Sequence, residues 1–170
     1  MASTQILRRR IHSVEGTAKI CRAMEMVATA KMRRAQEQAV AGRPYSEKIG
    51  WVLADLAAQS RTGEAIHPLL QRREVSRIGI VHITTDRGLC GGLNANMNRL
   101  VLGFTLGQDL PVVLVTVGRK GRGSMRRAGQ NIRAEFTGIS DRPTLLETLP
   151  VSRIVIEDYS SGEVDLVYLA

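Results

Sequence analysis

The sequence is poor in everything that small catalytic or redox proteins rely on. Its two cysteines, Cys21 and Cys90, stand far apart and without the CxxC or Cys/His spacing of a zinc site or a disulfide framework, so a reducing setting is the default. His12, His67 and His82 share no metal-ligand spacing, and no Ser or Cys sits in a nucleophile motif. One Trp, three Tyr and two Phe give no stacking platform for nucleic-acid bases. No stretch approaches the ~20 apolar residues that span a bilayer. The opening MASTQILRRR has no apolar core behind its basic residues, so any membrane association has to be indirect. Acid is scarce too: 16 Asp and Glu against 24 Lys and Arg leave a net charge of +8. An acidic neighbour is expected, and nucleic acid, an anionic membrane or acidic protein patches all fit that requirement.

What is present begins with helix formers. From Ser3 to about Ala58 the chain is rich in Ala, Met, Arg, Gln and Glu, with Pro44 its only proline. The reading is one long helix, capped by Ser3 or Thr4, weakened at Gly16 and kinked but not ended by Gly42 and Pro44. Leu7, Ile11, Val14, Ala18, Cys21, Ala28, Met32, Ala35 and Ala39 alternate in steps of mostly four and three, interrupted once at Glu25. That is a coiled-coil seam. Ile20, Met24, Met26 and Val27 add apolar surface off the seam, which suggests enclosure by more than one neighbour. A helix of ~50 residues rises ~75 Å, more than a compact globule of the remainder measures. It is therefore expected to project and to need a partner helix from outside these residues. Ten Lys and Arg against four Glu give the first 50 residues a net charge of +6.

The remainder, 170 residues being enough for one compact domain with an appendage, reads as α/β. After a turn-rich stretch, QSRTGEAIHP, the apolar run Ile78 to Ile83 and the run Pro111 to Val117 read as buried parallel strands. Leu93 to Phe104 reads as the helix of a right-handed crossover between them. Arg119 to Ala128 and Pro143 to Tyr159 read as further helices, Asn131 to Phe136 and Asp165 to Ala170 as further strands. The expected organisation is a shaft helix over residues 1–60, a connecting segment over 61–76, and a small Rossmann-like open parallel sheet over 77–170 that is incomplete at its C-terminus.

The segment DRGLCGGLN, Asp86 to Asn94, follows a strand and opens a helix, where α/β folds often hold phosphate. Gly88, Gly91 and Gly92 do not give GxGxxG, and no GxxxxGK[ST] lysine and hydroxyl are present, so nucleotide binding is not expected. Asp86 lacks the second acid two positions on that metal-assisted phosphoryl chemistry needs, because that position is Gly88. Cys90 reads as a small buried residue in a tight turn, and the basic GRKGRG, Gly118 to Gly123, as a turn followed by a solvated helix face.

Two stretches, AKICRAMEMVATAKMRRAQ (Ala18 to Gln36) and TDRGLCGGLN (Thr85 to Asn94), resemble signature segments of the ATP synthase gamma subunit. IHSVEGTAKI, AGRPYSE around Pro44 and the order of elements extend the resemblance over essentially the whole chain. It implies a mechanical subunit with no catalytic site, cofactor or metal of its own. In it the long helix pairs antiparallel with a C-terminal helix, absent here, and turns inside a ring of alpha and beta subunits as a membrane ring is driven by proton or sodium flow. The implied partners are those alpha and beta subunits, the epsilon subunit and the membrane c-ring, with neither nucleic acid nor direct membrane insertion. The implied place is peripheral, on the cytoplasmic face of a bacterial-type inner membrane. The implied contact residues are Met24, Lys31, Arg33, Arg34, Arg8 and Arg9 on the helix, and Asp86, Arg87, Gly88, Leu89, Cys90, Gly91, Gly92 and Asn94 in the glycine-rich loop. A basic coiled-coil protein that binds nucleic acid and a nucleotide-binding α/β enzyme are the competing readings.

Overall fold

The computed structural model describes residues 2–59, 67–71 and 73–170, so residues 60–66 of the turn-rich stretch and residue 72 of the connecting segment lie outside the described residues. The chain divides into two compact units, Met1–Glu64 and Ala65–Ala170.

The described part of the first unit is a single helix, α1 (Ala2–Gln59), about 87 Å long at 1.5 Å per residue. It begins one residue earlier than expected, with Ser3 and Thr4 inside its first turn, where backbone amides need no intrahelical acceptor. It runs without interruption through Pro44, which removes one backbone donor. One turn on, the Ser46 hydroxyl donates to the Gly42 carbonyl at 3.3 Å. Every side chain described on α1 is exposed, including Leu7, Ile11, Val14 and Met32 of the seam. Propensity alone does not hold so long a helix with a bare apolar stripe; packing against something else is what normally stabilises one.

The described part of the second unit opens with a single 3-10 turn, Pro68–Leu70, in which His67 Nδ1 accepts from the Leu69 amide. Four strands and three helices follow: β1 (Ile78–Ile83), α2 (Leu93–Leu106), β2 (Val112–Val117), α3 (Arg119–Arg127), β3 (Ile132–Phe136), α4 (Leu145–Ser161) and β4 (Leu166–Leu169). All pairings are parallel, in the order β3-β2-β1-β4. The chain thus steps outward from β1 to β2 to β3, then returns through α4 to the far side of β1. Right-handed crossovers in opposite directions put α2 and α3 on one face and α4 on the other.

Strand alternation sorts the core between those faces. Ile78, Ile80 and Leu114 point at Val101 of α2 and Met125 of α3, and Leu114 and Met125 are fully buried. His82 and Thr116 continue the same rows, and buried His82 sets Nε2 2.8 Å from Asn98 Oδ1. On the opposite face Val81, Val117 and Val167 line an apolar hollow with Val151 and Val155 of α4.

Helix ends depart from expectation by one or two residues, each for a local reason. α2 continues to Leu106, where the Gly107 amide closes on the Gly103 and Phe104 carbonyls, both at 3.1 Å. α4 starts after Pro143, at a capping box in which Thr144 and Glu147 satisfy each other's amides, and it ends at Gly162.

Two carboxylates should make this unit acid-sensitive, Asp165 by joining distant segments and Glu147 by capping α4. Asp165 Oδ2 accepts from the Ser76 hydroxyl at 2.6 Å and from the Ser76 and Arg77 amides at 2.9 and 3.0 Å, joining the entries of β1 and β4. The Ser76 hydroxyl, foremost, holds its pKa below the usual range, and the Thr144 amide does the same for Glu147. A depressed folded-state pKa means the contribution is whole above the unfolded value and is lost as pH falls through the folded one. The stability gap between wild type and Asp165→Asn is therefore expected to be constant above about pH 4 to 5 and to close below it. Denaturation midpoints measured from pH 7 to 2.5 check this; a gap that widens on acidification would contradict it.

Candidate interaction site at the glycine-rich loop

The loop between β1 and α2 is closed on itself before anything else meets it. Asn94, in the first turn of α2, accepts from the Thr85 amide with Oδ1 at 3.1 Å. Its Nδ2 donates to Thr85 Oγ1 at 2.8 Å and to Cys90 Sγ at 3.0 Å. The Thr85 hydroxyl then donates to the Arg87 carbonyl at 2.5 Å. Cys90 is half-buried rather than buried, because its sulfur faces this polar closure instead of the apolar core.

A second set of bonds ties the loop to the carboxyl ends of the neighbouring strands. Asp86 Oδ1 accepts from the Arg119 amide at 2.8 Å, and Oδ2 from the Gly138 amide at 2.5 Å, so one carboxylate spans the exits of β2 and β3. The Lys120 amide donates to the Thr85 carbonyl at 3.2 Å, and the Gly121 amide to Thr84 Oγ1 at 2.8 Å. The first three amides of α3 are thus taken by Asp86, Thr85 and Thr84. A helix N-terminus at the carboxyl edge of a parallel sheet is where a phosphate would bind. At α3 this chain's own carboxylate and oxygens occupy that role, which argues against a nucleotide there.

Sequence reasoning did not foresee the importance of Gly118 and Gly121. Gly118 has φ +100, and a Cβ there would lie 2.2 Å from the Thr84 carbonyl oxygen; one at Gly121 would lie 2.8 Å from the His82 ring. The available signal was the glycine immediately after a strand and before a helix, a position that often marks close backbone approach. The helix face is not only solvated either: Met125 and Gly121 are buried, while Arg122 and Arg126 both approach Glu135 at 3.8 Å.

The expected contact residues fall into groups. Asp86 to Asn94 are gathered in the loop just described. The others lie on α1, where 100° per residue puts Met24, Lys31 and Arg8 along the edges of the apolar seam, about 40 to 60° from its nearest members, and Arg9, Arg33 and Arg34 about 100° or more from it. Arg33 Nε is held by Glu37 at 3.1 Å. With the seam covered, Arg9, Arg33 and Arg34 still face outward, and Met24, Lys31 and Arg8 border the covered stripe.

Comparison with known proteins decides the family. Residues 3–170 match the family model described as ATP synthase. The chain belongs to the ATP synthase family. It is 55% identical over 170 residues to the ATP synthase gamma chain of Dehalococcoides mccartyi strain 195, covering 100% of this chain and 60% of that one. It is 46% identical to the gamma chain of Acidithiobacillus ferrooxidans, covering 99% of this chain and 59% of the other. The chain thus spans about 60% of the length of the curated relatives it matches. Among solved structures it resembles one of the central stalk and c-ring of Tetrahymena thermophila mitochondrial ATP synthase, with TM-score 0.70 and 22% identity, over 88% of this chain and 63% of that one. This last likeness establishes the fold of an ATP synthase family member, a long helix with a small parallel sheet.

Proposed function

We infer that the chain supplies one helix of the rotating central shaft of an ATP synthase and part of the shaft's base, and that it works mechanically rather than catalytically. The observation that carries this reading is α1: 58 residues of continuous helix, an apolar seam of small and flexible side chains, and every described side chain exposed. A partner helix along the seam would make it a rod. The surface beside and behind the seam would then face the sleeve of alpha and beta subunits, with Met24 giving an adaptable, non-locking contact and Lys31, Arg33 and Arg34 drawn to acidic surfaces. The epsilon subunit and the c-ring would meet the base, driven by proton or sodium flow. Its place would be peripheral, at the cytoplasmic face in a bacterial cell; no described helix is long and apolar enough to cross a membrane.

Reconstitution tests the reading. A chain extended to the full length of the curated relatives should co-purify with alpha and beta subunits, and this span alone should do so poorly. Failure of the extended chain to assemble would refute the shaft assignment. In that assembly Arg33→Glu with Arg34→Glu is expected to lower rotation-coupled ATP synthesis about tenfold, because charge reversal costs more than charge removal. Helix stability should fall by only about 0.5 kcal/mol, from the like-charge pair created with Glu37 one turn away. Unchanged synthesis would take both residues off the contact surface.

A further inference from the structure

At the amino ends of the strands, away from the glycine-rich loop, an open pocket of about 430 Å³ lies among β2, β3 and the end of α4. Pro111, Val113 and Val164 give it an apolar side. Arg77 and Glu163 also line it but are closed on each other at 2.8 Å. Arg133 and Asp158 are not closed in that way. Their nearest approach, from Arg133 Nη2 to Asp158 Oδ1, is 3.5 Å, against about 2.7 to 2.9 Å for a good charged hydrogen bond. Among the described residues no other hydrogen bond or ion pair reaches either side chain. The Asp158 side chain is only 10% exposed, so a carboxylate largely withdrawn from water has one long contact in return.

The backbone leaves its regular ladder at the same place. Leu114 pairs with Ile132 and Val115 with Ala134, so Arg133 is the extra residue of a bulge in β3. Bulges recur beside binding sites because they re-aim a side chain. Asn131, two residues earlier, lines the same pocket with a side-chain amide that has no partner among the described residues. The pocket thus gathers one enclosed carboxylate, one guanidinium with donors to spare and one free amide beside an apolar wall. That is the usual make-up of a small-molecule site.

The charges select the class of ligand. A bare cation would satisfy Asp158 but be repelled by Arg133, and a bare anion would do the reverse. A molecule carrying both charges on one carbon can open the long pair and give each partner a short, charge-assisted bond. The apolar side suits an aliphatic side chain. We propose that this pocket binds a free aliphatic α-amino acid, with its ammonium on Asp158, its carboxylate on Arg133 and Asn131, and its side chain against Val113 and Val164. A divalent cation fits worse, because the two carboxylates that line the pocket stand among two guanidinium groups. The proposal goes beyond the shaft reading and does not depend on it.

Calorimetric titration of the full chain with L-leucine tests this. Leucine should bind with a Kd of about 1 mM and raise the thermal midpoint. Isoamylamine lacks the carboxylate, isocaproate lacks the ammonium, and ε-aminocaproate holds its charges far apart; each should bind at least about tenfold more weakly. Arg133→Met should lose about tenfold in affinity while leaving the midpoint of the free chain within about 2 °C, since so exposed a partner contributes little to stability. Asp158→Asn should lose as much affinity; if that variant fails to fold, Arg133→Met and the three analogues still decide. The proposal is overturned by an absence of saturation up to about 20 mM leucine, or by equal leucine affinity in wild type and Arg133→Met. Isoamylamine binding as tightly as leucine would overturn it too, reducing the pocket to a site for a bare cation.

Discussion

Alanine at Gly118 is expected to cost the α/β unit about 3 to 5 kcal/mol, enough to remove much of a small domain's stability. Two effects add. The backbone there has φ +100, and holding an L-residue in such a conformation costs about 1 to 3 kcal/mol. The new Cβ would lie 2.2 Å from the Thr84 carbonyl oxygen and 2.7 Å from its carbon, so overpacking adds a similar amount. The obstacle is backbone, and it cannot step aside cheaply: the Thr84 amide is bonded to the Val117 carbonyl at 2.8 Å, and the Gly118 amide to the Phe136 carbonyl at 2.8 Å. Moving Thr84 would break the junction of β1 with β2; moving Gly118 would break that of β2 with β3. Denaturant titration should show a large fall in midpoint at unchanged slope. Gly121→Ala meets the His82 ring and the Thr84 methyl at 2.8 Å, which are side-chain atoms, and should cost less. A midpoint for Gly118→Ala within error of wild type would mean that this junction is not rigid.

The contrast between Gly118 and the strands it joins says what a sequence makes readable. Ile78 to Ile83 and Val112 to Val117 were evident because burial on both faces of a parallel sheet writes itself as an unbroken apolar run. The long helix was equally evident, since composition and a seam in steps of four and three are local properties. The loop's glycines were noticed but not ranked. Gly88, Gly91 and Gly92 look alike in sequence, yet Gly91 sits at φ +59, a Cβ on Gly92 would lie 3.4 Å from the Asn96 side chain, and one on Gly88 would meet nothing within 4 Å. Such distinctions depend on what lies across space. The place of β4 beside β1, rather than outside β3, is of the same kind: periodicity identifies a strand, and only the return crossover of α4 chooses its neighbour.

Asp86 joins the local signal to the spatial one, and its replacement gives the second large effect. Read along the chain it is an acid after a strand; in the fold its carboxylate holds the Arg119 and Gly138 amides, residues separated from it by 33 and 52 positions. Asp86→Ala leaves both donors without their charged acceptor. Each such bond is worth about 1.5 to 3 kcal/mol, and because the site is partly open water will recover part of that, so a loss of about 2 to 4 kcal/mol is expected. Asp86→Asn should be nearly as costly, since its amide can accept from only one of the two and turns an N–H toward the other. The distinguishing measurement is hydrogen exchange: the Arg119 and Gly138 amides should lose protection together, while Leu114, deep in the sheet, loses it only by the change in global stability. Exchange rising at one amide alone would show that the carboxylate does not bridge the strand exits.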